Sequence, residues 1–264
     1  MAQEALDLPD CVLVTGAAGG IGSALVDRLL KAGTKVIATD LAIPSARLSV
    51  TEFAASEHPT CTWISADLAT TLGRQILLDD LLSKKFSHIG GVVHVAGMLD
   101  PVDWQDINEA QVERMFALNL HAPFFLTRGL LPILAPDASV VLMGSISAMR
   151  ASPKTPFYSA SKAALRNLGA SLAMVLQPRG MRVNVVAPGL IDTPLTDAMN
   201  VRLAIERGVT VEKVEAERAQ AIPAGRAGTP GEVVSACLFF LSSQSSYCTG
   251  TTLHPTGGAW AGSI

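Results

Sequence analysis

"CVLVTGAAGGIGSALVDRLLKAG" fills residues 11–33 of a 264-residue chain. It opens on a short apolar run, Cys11 to Val14. A glycine-rich turn follows, Thr15 to Gly22, and then a helical pattern closes on Gly33. An unbroken apolar run followed by apolar residues every three to four positions reads as a buried strand leading into an amphipathic helix. Glycines at 16, 20 and 22 let the backbone turn tightly and let an anion approach the helix N-terminus. There the free N–H groups and the helix dipole favour negative charge. Many β-α turns contain glycine, so the turn gains weight from its place between strand and helix.

The alternation continues along the chain. "KVIATD" is a second apolar run ending at Asp40, "SARLSVTEFAASE" (45–57) reads as helix and "CTWISAD" (61–67) as strand. "GRQILLDDLLSKK" (73–85) is helical, "IGGVVHVAG" (89–97) a strand, and one long helical stretch covers 108–131. "SVVLMGS" (139–145) is a strand, a helix runs to about Leu176, and "MRVNVVAPG" (181–189) is a strand again. This pattern predicts an α/β fold in one domain over residues 1–264. Its doubly wound parallel sheet of about seven strands has right-handed crossovers and helices on both faces.

Composition agrees. Hydrophobic residues make up 49% and charged residues 16%, as suits a sheet covered on both faces. The net charge of -3, with no Lys/Arg cluster, argues against nucleic acid or an anionic membrane as partner. No apolar run reaches membrane-spanning length. The opening "MAQEALDLPD" is acidic and lacks the apolar core of a secretory signal. Cys11, Cys61, Cys237 and Cys248 form no CxxC pair, and the five histidines show no metal-ligand spacing. The expectation is a cytoplasmic protein with reduced thiols and no metal.

Asp40 lies eighteen residues beyond Gly22, at the end of the second strand. A carboxylate there can accept both hydroxyls of an adenosine ribose, or it can be an ordinary turn residue. With the glycine turn in place the ribose reading is favoured. A 2′-phosphate would be repelled by this carboxylate. No basic residue stands in the turn or directly after Asp40, and Arg47 falls in the following helical stretch. NAD is therefore expected rather than NADP.

"FYSASKAAL" (157–165) sets Tyr158 four residues before Lys162, on one helical face. Alone, this fits the polar face of any amphipathic helix. In combination with TGxxxGxG at 15–22, Asp67–Leu68, Asn119, Ser145 thirteen residues before Tyr158, and Pro188–Gly189 followed by Thr193, it resembles the short-chain dehydrogenase/reductase superfamily, classical subfamily. The resemblance runs from Cys11 to Gly258.

It implies a catalytic set of Asn119, Ser145, Tyr158 and Lys162. It implies cofactor contacts at Thr15, Gly16, Gly20, Ile21, Gly22, Asp40, Leu41, Asp67, Leu68, Ala96, Gly97, Tyr158, Lys162, Pro188, Gly189, Ile191 and Thr193. Within that set Asp67 would meet the adenine amino group and Thr193 the nicotinamide amide. Lys162 would hold the nicotinamide ribose, and Asn119 a water linking Lys162 to solvent. Electrostatics adds that an ammonium near a phenol favours the phenolate, so Lys162 is expected to lower the Tyr158 pKa. The alanines of this helix suit close packing, either between subunits, with a homotetramer expected, or against the parent sheet.

Two departures from the family pattern stand out. "HVAG" (94–97) replaces the frequent "NNAG", so His94 is a core-edge residue, a cofactor neighbour or a catalytic group. "PTGG" (255–258) replaces "DGG", a structural variation in which Thr256 can still hydrogen-bond. Tyr247 is expected to pack.

The pocket is expected from Met98 and Leu99, residues 146–149 and a lid over residues 190–226, with Ser145, Ser147, Met149, Tyr158, Leu190, Leu195 and Met199 as substrate candidates. Arg150 and Arg202 fit solvated surface better than anion contacts, and Trp260 either reaches a neighbouring site or caps the fold. The apolar lid favours a cyclic or hydrophobic secondary alcohol and its ketone as the small-molecule partner. A sugar or polyol substrate, an NADPH-dependent ketone reductase and a non-catalytic NAD-binding regulator are the alternatives.

Overall fold

A computed structural model describes residues 6–41, 60–100 and 102–260. Strand β1, Cys11–Thr15, is buried along its whole length. Its side chains alternate between two cores, Leu13 to one side, Val12 and Val14 to the other. β2 (Lys35–Asp40) and β3 (Cys61–Ser65) extend the sheet on one side. β4 (Ile89–His94), β5 (Leu134–Met143), β6 (Arg182–Val186) and β7 (Thr252–Leu253) extend it on the other. The order is β3-β2-β1-β4-β5-β6-β7, with every pairing parallel. The order reverses between β1 and β4, the point at which a doubly wound sheet opens a crevice at its C-terminal edge.

Helix α1 (Gly20–Lys31) follows β1, and α2 (Thr71–Ser83) precedes β4. α3 (Glu109–Phe116) and α4 (Ala122–Leu130) flank a π-helical turn, Ala117–His121. α5 is Pro156–Leu176, α6 Pro194–Arg207, α7 Val211–Gln220 and α8 Pro230–Leu241. Leu25 and Leu29 of α1 and Val233, Cys237 and Phe240 of α8 fill the core on one face. Leu77 and Leu81 of α2, Leu126 of α4, and Leu165 and Leu172 of α5 fill the other. Two capping boxes start helices: Asn108 with Gln111 opens α3, and Thr229 with Glu232 opens α8.

The seven-stranded parallel sheet and its two helical layers match the sequence reading. The helix expected over residues 45–57, and Arg47 with it, lie outside the described residues. The long helix expected over 108–131 is broken by the π turn. Pro123 has no N–H to give to the Asn119 carbonyl four residues earlier, so the α-helical ladder cannot run unbroken past that point. On α5 Gly169 serves the parent sheet, since a Cβ there would lie 2.9 Å from Val185 Cγ2 and 3.1 Å from Leu142 Cδ1, while Ala160 and Ala170 are exposed. The outer face of α5 leaves Met174 and Val175 exposed.

Candidate active site

A cleft follows the C-terminal ends of the strands on either side of the reversal. Its wide part, about 710 Å³, is lined by Gly16, Gly20, Ile21, Gly22, Asp40, Leu41, Asp67, Leu68, Ala96, Gly97 and Thr193, together with Arg114 and Leu118. Its inner part, about 140 Å³, is lined by Ile21, Gly97, Ser145, Tyr158, Lys162, Pro188, Gly189, Ile191, Thr193 and Leu195, together with Met98, Met143 and Thr196.

The floor of the wide part is bare backbone. Gly16 has φ +65°, and a Cβ on it would lie 2.6 Å from the Ala96 nitrogen. A Cβ on Gly22 would lie 2.0 Å from the Gly16 carbonyl oxygen. No side chain caps α1 at Gly19, and no acid sits in its first turn. The positive end of that helix is thus clear for an anion. Asp40 accepts from the Ala18 N–H at 2.9 Å through Oδ2 and from its neighbour Leu41 at 2.7 Å through Oδ1. A carboxylate has about four lone-pair positions, so capacity remains for two hydroxyls. These features fit a dinucleotide in the wide part.

Deeper in, Lys162 is almost fully buried and donates to the Met143 carbonyl at 2.8 Å. Burial pushes its ammonium down to about 8. Its Nζ lies 5.8 Å from the centre of the Tyr158 ring. The expectation that Lys162 lowers the phenol is not met in this structure. Burial raises Tyr158, and the hydrogen bond with Ser145 only partly opposes it. Low-dielectric surroundings disfavour both charges, the phenolate and the ammonium alike.

Asn119, fully buried, accepts from the Met98 N–H at 2.8 Å and donates to the Met98 carbonyl at 2.9 Å and to Ser161 at 3.0 Å. Ser161 in turn donates to the Tyr158 carbonyl at 2.8 Å. The Asn119 side chain therefore ties the end of β4 to the start of α5. Pro123 leaves the Asn119 backbone carbonyl without an α-helical donor.

Thr15 does not line the cleft; its hydroxyl accepts from the Ala96 N–H at 3.2 Å. Ser147 lies outside the inner lining and donates its N–H to Ser145 Oγ at 3.1 Å. Met149, Leu190 and Met199 are likewise absent from the inner lining, while Ser145, Tyr158 and Leu195 are present. Sequence reasoning missed Arg114, Leu118 and Met143, whereas Met98 and Thr196 fall on stretches it had given to the pocket. Arg114 and Leu118 are four residues apart and precede Asn119 on the same helical run, a spacing that could have found them. Tyr247, expected to pack, is fully exposed between α8 and the edge strand β7. Trp260 stacks on His254, ring centres 5.9 Å apart, which favours its capping reading. His94 is buried and its Nε2 lies 3.0 Å from Thr127 Oγ1, outside both linings, as its core-edge reading expects. All four cysteines are free. Among the described residues no cluster could hold a metal, and no helix is long and apolar enough to cross a membrane.

The fold and cleft define a doubly wound α/β protein of the dinucleotide-binding type. Residues 16–259 match the family model described as enoyl-(acyl carrier protein) reductase. Galactitol 2-dehydrogenase of Agrobacterium fabrum is 29% identical over 94% of this chain and 96% of its own. Sorbitol-6-phosphate 2-dehydrogenase of Klebsiella pneumoniae is 33% identical over 97% and 98%. The crystal structure of a short chain dehydrogenase family protein from Francisella tularensis superposes with a TM-score of 0.85 at 29% identity, covering 96% of this chain and 99% of that one. The chain belongs to the short-chain dehydrogenase/reductase superfamily, and its activity is that of an oxidoreductase.

His94 yields a prediction about acid stability. Burial pushes the imidazole down to about 3, from about 6.5 in an unfolded chain. A depressed folded pKa gives stability that is full above about 6.5 and lost progressively as pH falls toward about 3. His94→Gln removes the titration. Thermal midpoints of the variant, whatever its stability at pH 7, should fall less between pH 7 and pH 4 than those of the wild type. Parallel pH profiles would contradict this.

Proposed function

We propose that the protein is an NAD-dependent dehydrogenase that interconverts a secondary alcohol and its ketone, with Tyr158 as acid and base. The observation that carries this reading is the convergence of Tyr158, Ser145 and Lys162 on one inner cleft that opens from the dinucleotide-sized one. The bound nicotinamide supplies the hydride acceptor. Tyr158 removes the proton of the substrate hydroxyl during oxidation and returns it during reduction. Ser145 hydrogen-bonds the same oxygen and steadies its changing charge. Lys162 stands behind the phenol, its Nζ 5.8 Å from the ring centre. The same ammonium is within the site to hold the nicotinamide ribose. The Asn119 side chain fixes Met98 and α5, and so the approach angle of Tyr158.

Asp40 supports NAD over NADP, because its anchored carboxylate faces the position a 2′-phosphate would need. For the substrate, Met98, Met143, Ile191 and Leu195 support a hydrophobic or cyclic alcohol. The names of the galactitol and sorbitol-6-phosphate relatives favour a polyol or sugar as a second reading. A panel of cyclic alcohols, polyols and their ketones, followed at the absorbance of the reduced nicotinamide with both cofactors, separates the two. Exposed Met174 and Val175 on α5 and Phe125 on α4 support a homotetramer, and the charge, with no spanning helix among the described residues, suits a cytoplasmic enzyme. Sedimentation at micromolar concentration should give an oligomer, and a stable monomer would exclude the tetramer.

Wild type should prefer NAD(H), and Asp40→Ala should narrow the gap to NADP(H), since it removes a ribose contact and a repulsion together. Equal use of both by the wild type would end the argument from Asp40.

Tyr158→Phe should lower kcat by about 10²- to 10⁴-fold or more while NADH still binds, because it removes one hydroxyl and keeps the ring. Lys162→Met should weaken both turnover and cofactor binding. Retention of more than about a tenth of wild-type kcat by Tyr158→Phe would exclude it as the acid/base.

A further inference from the structure

We infer that Arg114 is a cofactor-binding residue, a flat lid over the purine of the dinucleotide that is held in place by Asp67. The inference rests on the dinucleotide reading of the wide cleft and adds to it a residue outside the family's motif set.

Arg114 comes from α3 and Asp67 from the loop before α2, 47 positions apart in sequence. Arg114 Nη2 donates to Asp67 Oδ2 at 3.1 Å, with the two side chains 46% and 32% exposed. A pair this exposed contributes about 0–1 kcal/mol to stability and is screened by salt, so holding the fold together is a poor account of it. Its position is more informative. Both residues line the wide cleft, and Arg114 is the one arginine or lysine among the described residues that do so.

The surroundings are those of a slot for a flat, partly apolar ring with a polar edge. Leu41, Leu68 and Leu118 supply apolar wall, and Leu118 sits four residues after Arg114, one helical turn further on. Asp67 Oδ1 accepts from the Ala69 N–H at 3.0 Å. With Oδ2 on Arg114, each carboxylate oxygen keeps one lone pair for an amino group at the ring edge. The guanidinium is planar and stacks on π systems, and a partner carboxylate fixes its plane. Lysine, a point charge on a flexible stem, would not replace it. A purine bearing an exocyclic amine meets each requirement: a face for Arg114, apolar sides for the leucines and a donor for Asp67.

The test is a fluorescence titration of wild type, Arg114→Ala and Arg114→Lys with NADH and with reduced nicotinamide mononucleotide, which lacks the adenosine half. Thermal midpoints of all three proteins provide the check on folding. Arg114→Ala should weaken NADH about three- to thirtyfold, the range of one stacked cation. Its affinity for the mononucleotide should stay within about twofold of wild type, since one stacked cation is all that is lost. Arg114→Lys should recover only part of the loss. Unchanged NADH affinity in Arg114→Ala would overturn the inference, as would an equal loss for both ligands, which would mark a general effect on the fold. Failure of the wild type itself to bind NADH would sink the dinucleotide reading first, and this inference with it.

Discussion

At the head of the sheet two backbone segments touch with no side chain between them, and the rest of the cleft depends on that contact. Gly16 turns out of β1 with a positive φ directly against the end of β4. Any Cβ there would sit inside the Ala96 backbone. Thr15 secures the same crossing by accepting from the Ala96 N–H. Gly22 brings α1 down onto the Gly16 carbonyl, so the helix begins where the strand ends. Asp40 then grips the turn through Ala18, which joins the end of β2 to the same point. Three strands and one helix are thereby fixed around a glycine floor that lets a phosphate approach the backbone closely.

The inner cleft is built the opposite way, from buried polar side chains with named partners. Lys162 on Met143, Asn119 on Met98 and Ser161 on Tyr158 each satisfy a group that would cost about 1–3 kcal/mol if left unpaired in the interior. The same burial moves the two titratable groups in opposite directions, the phenol up and the ammonium to about 8. Burial disfavours both charged forms, the phenolate and the ammonium, so the two are not held as a permanent ion pair.

Much of this was legible because it is local. Strand runs, the glycine turn, Asp40 and the Tyr158–Lys162 spacing are encoded within a few residues of one another, and the sheet follows from their alternation. Other features depend on what comes to lie beside a residue. The raised phenol follows from burial, which spacing alone does not report. Asp40 binding Ala18 required the return of β2 beside β1. His94 found Thr127 because α4 crosses β4 at that height. The π turn had a local cue in Pro123, and Arg114 had one in its spacing to Leu118. Ser147, Met149, Leu190 and Met199 miss the inner lining because chain position along a loop or helix does not fix where a side chain faces.

The volumes argue for where specificity resides. A pocket that encloses a drug-sized molecule runs to about 300–1,000 Å³. The wide part reaches that range at about 710 Å³, while the inner part, at about 140 Å³, does not. The inner part has room for the reacting carbon and its immediate neighbours. Thr193 and Leu195 line both parts, and Leu195 belongs to the first turn of α6, so that turn is a wall common to cofactor and substrate space. Glu206 near the other end of α6 pairs with Lys154, just before α5 and four residues from Tyr158. That exposed pair adds little, so substrate room is set by where the first turn of α6 lies. A chain that keeps the floor, the tyrosine and the lysine while changing α6 would keep its chemistry and change what it accepts.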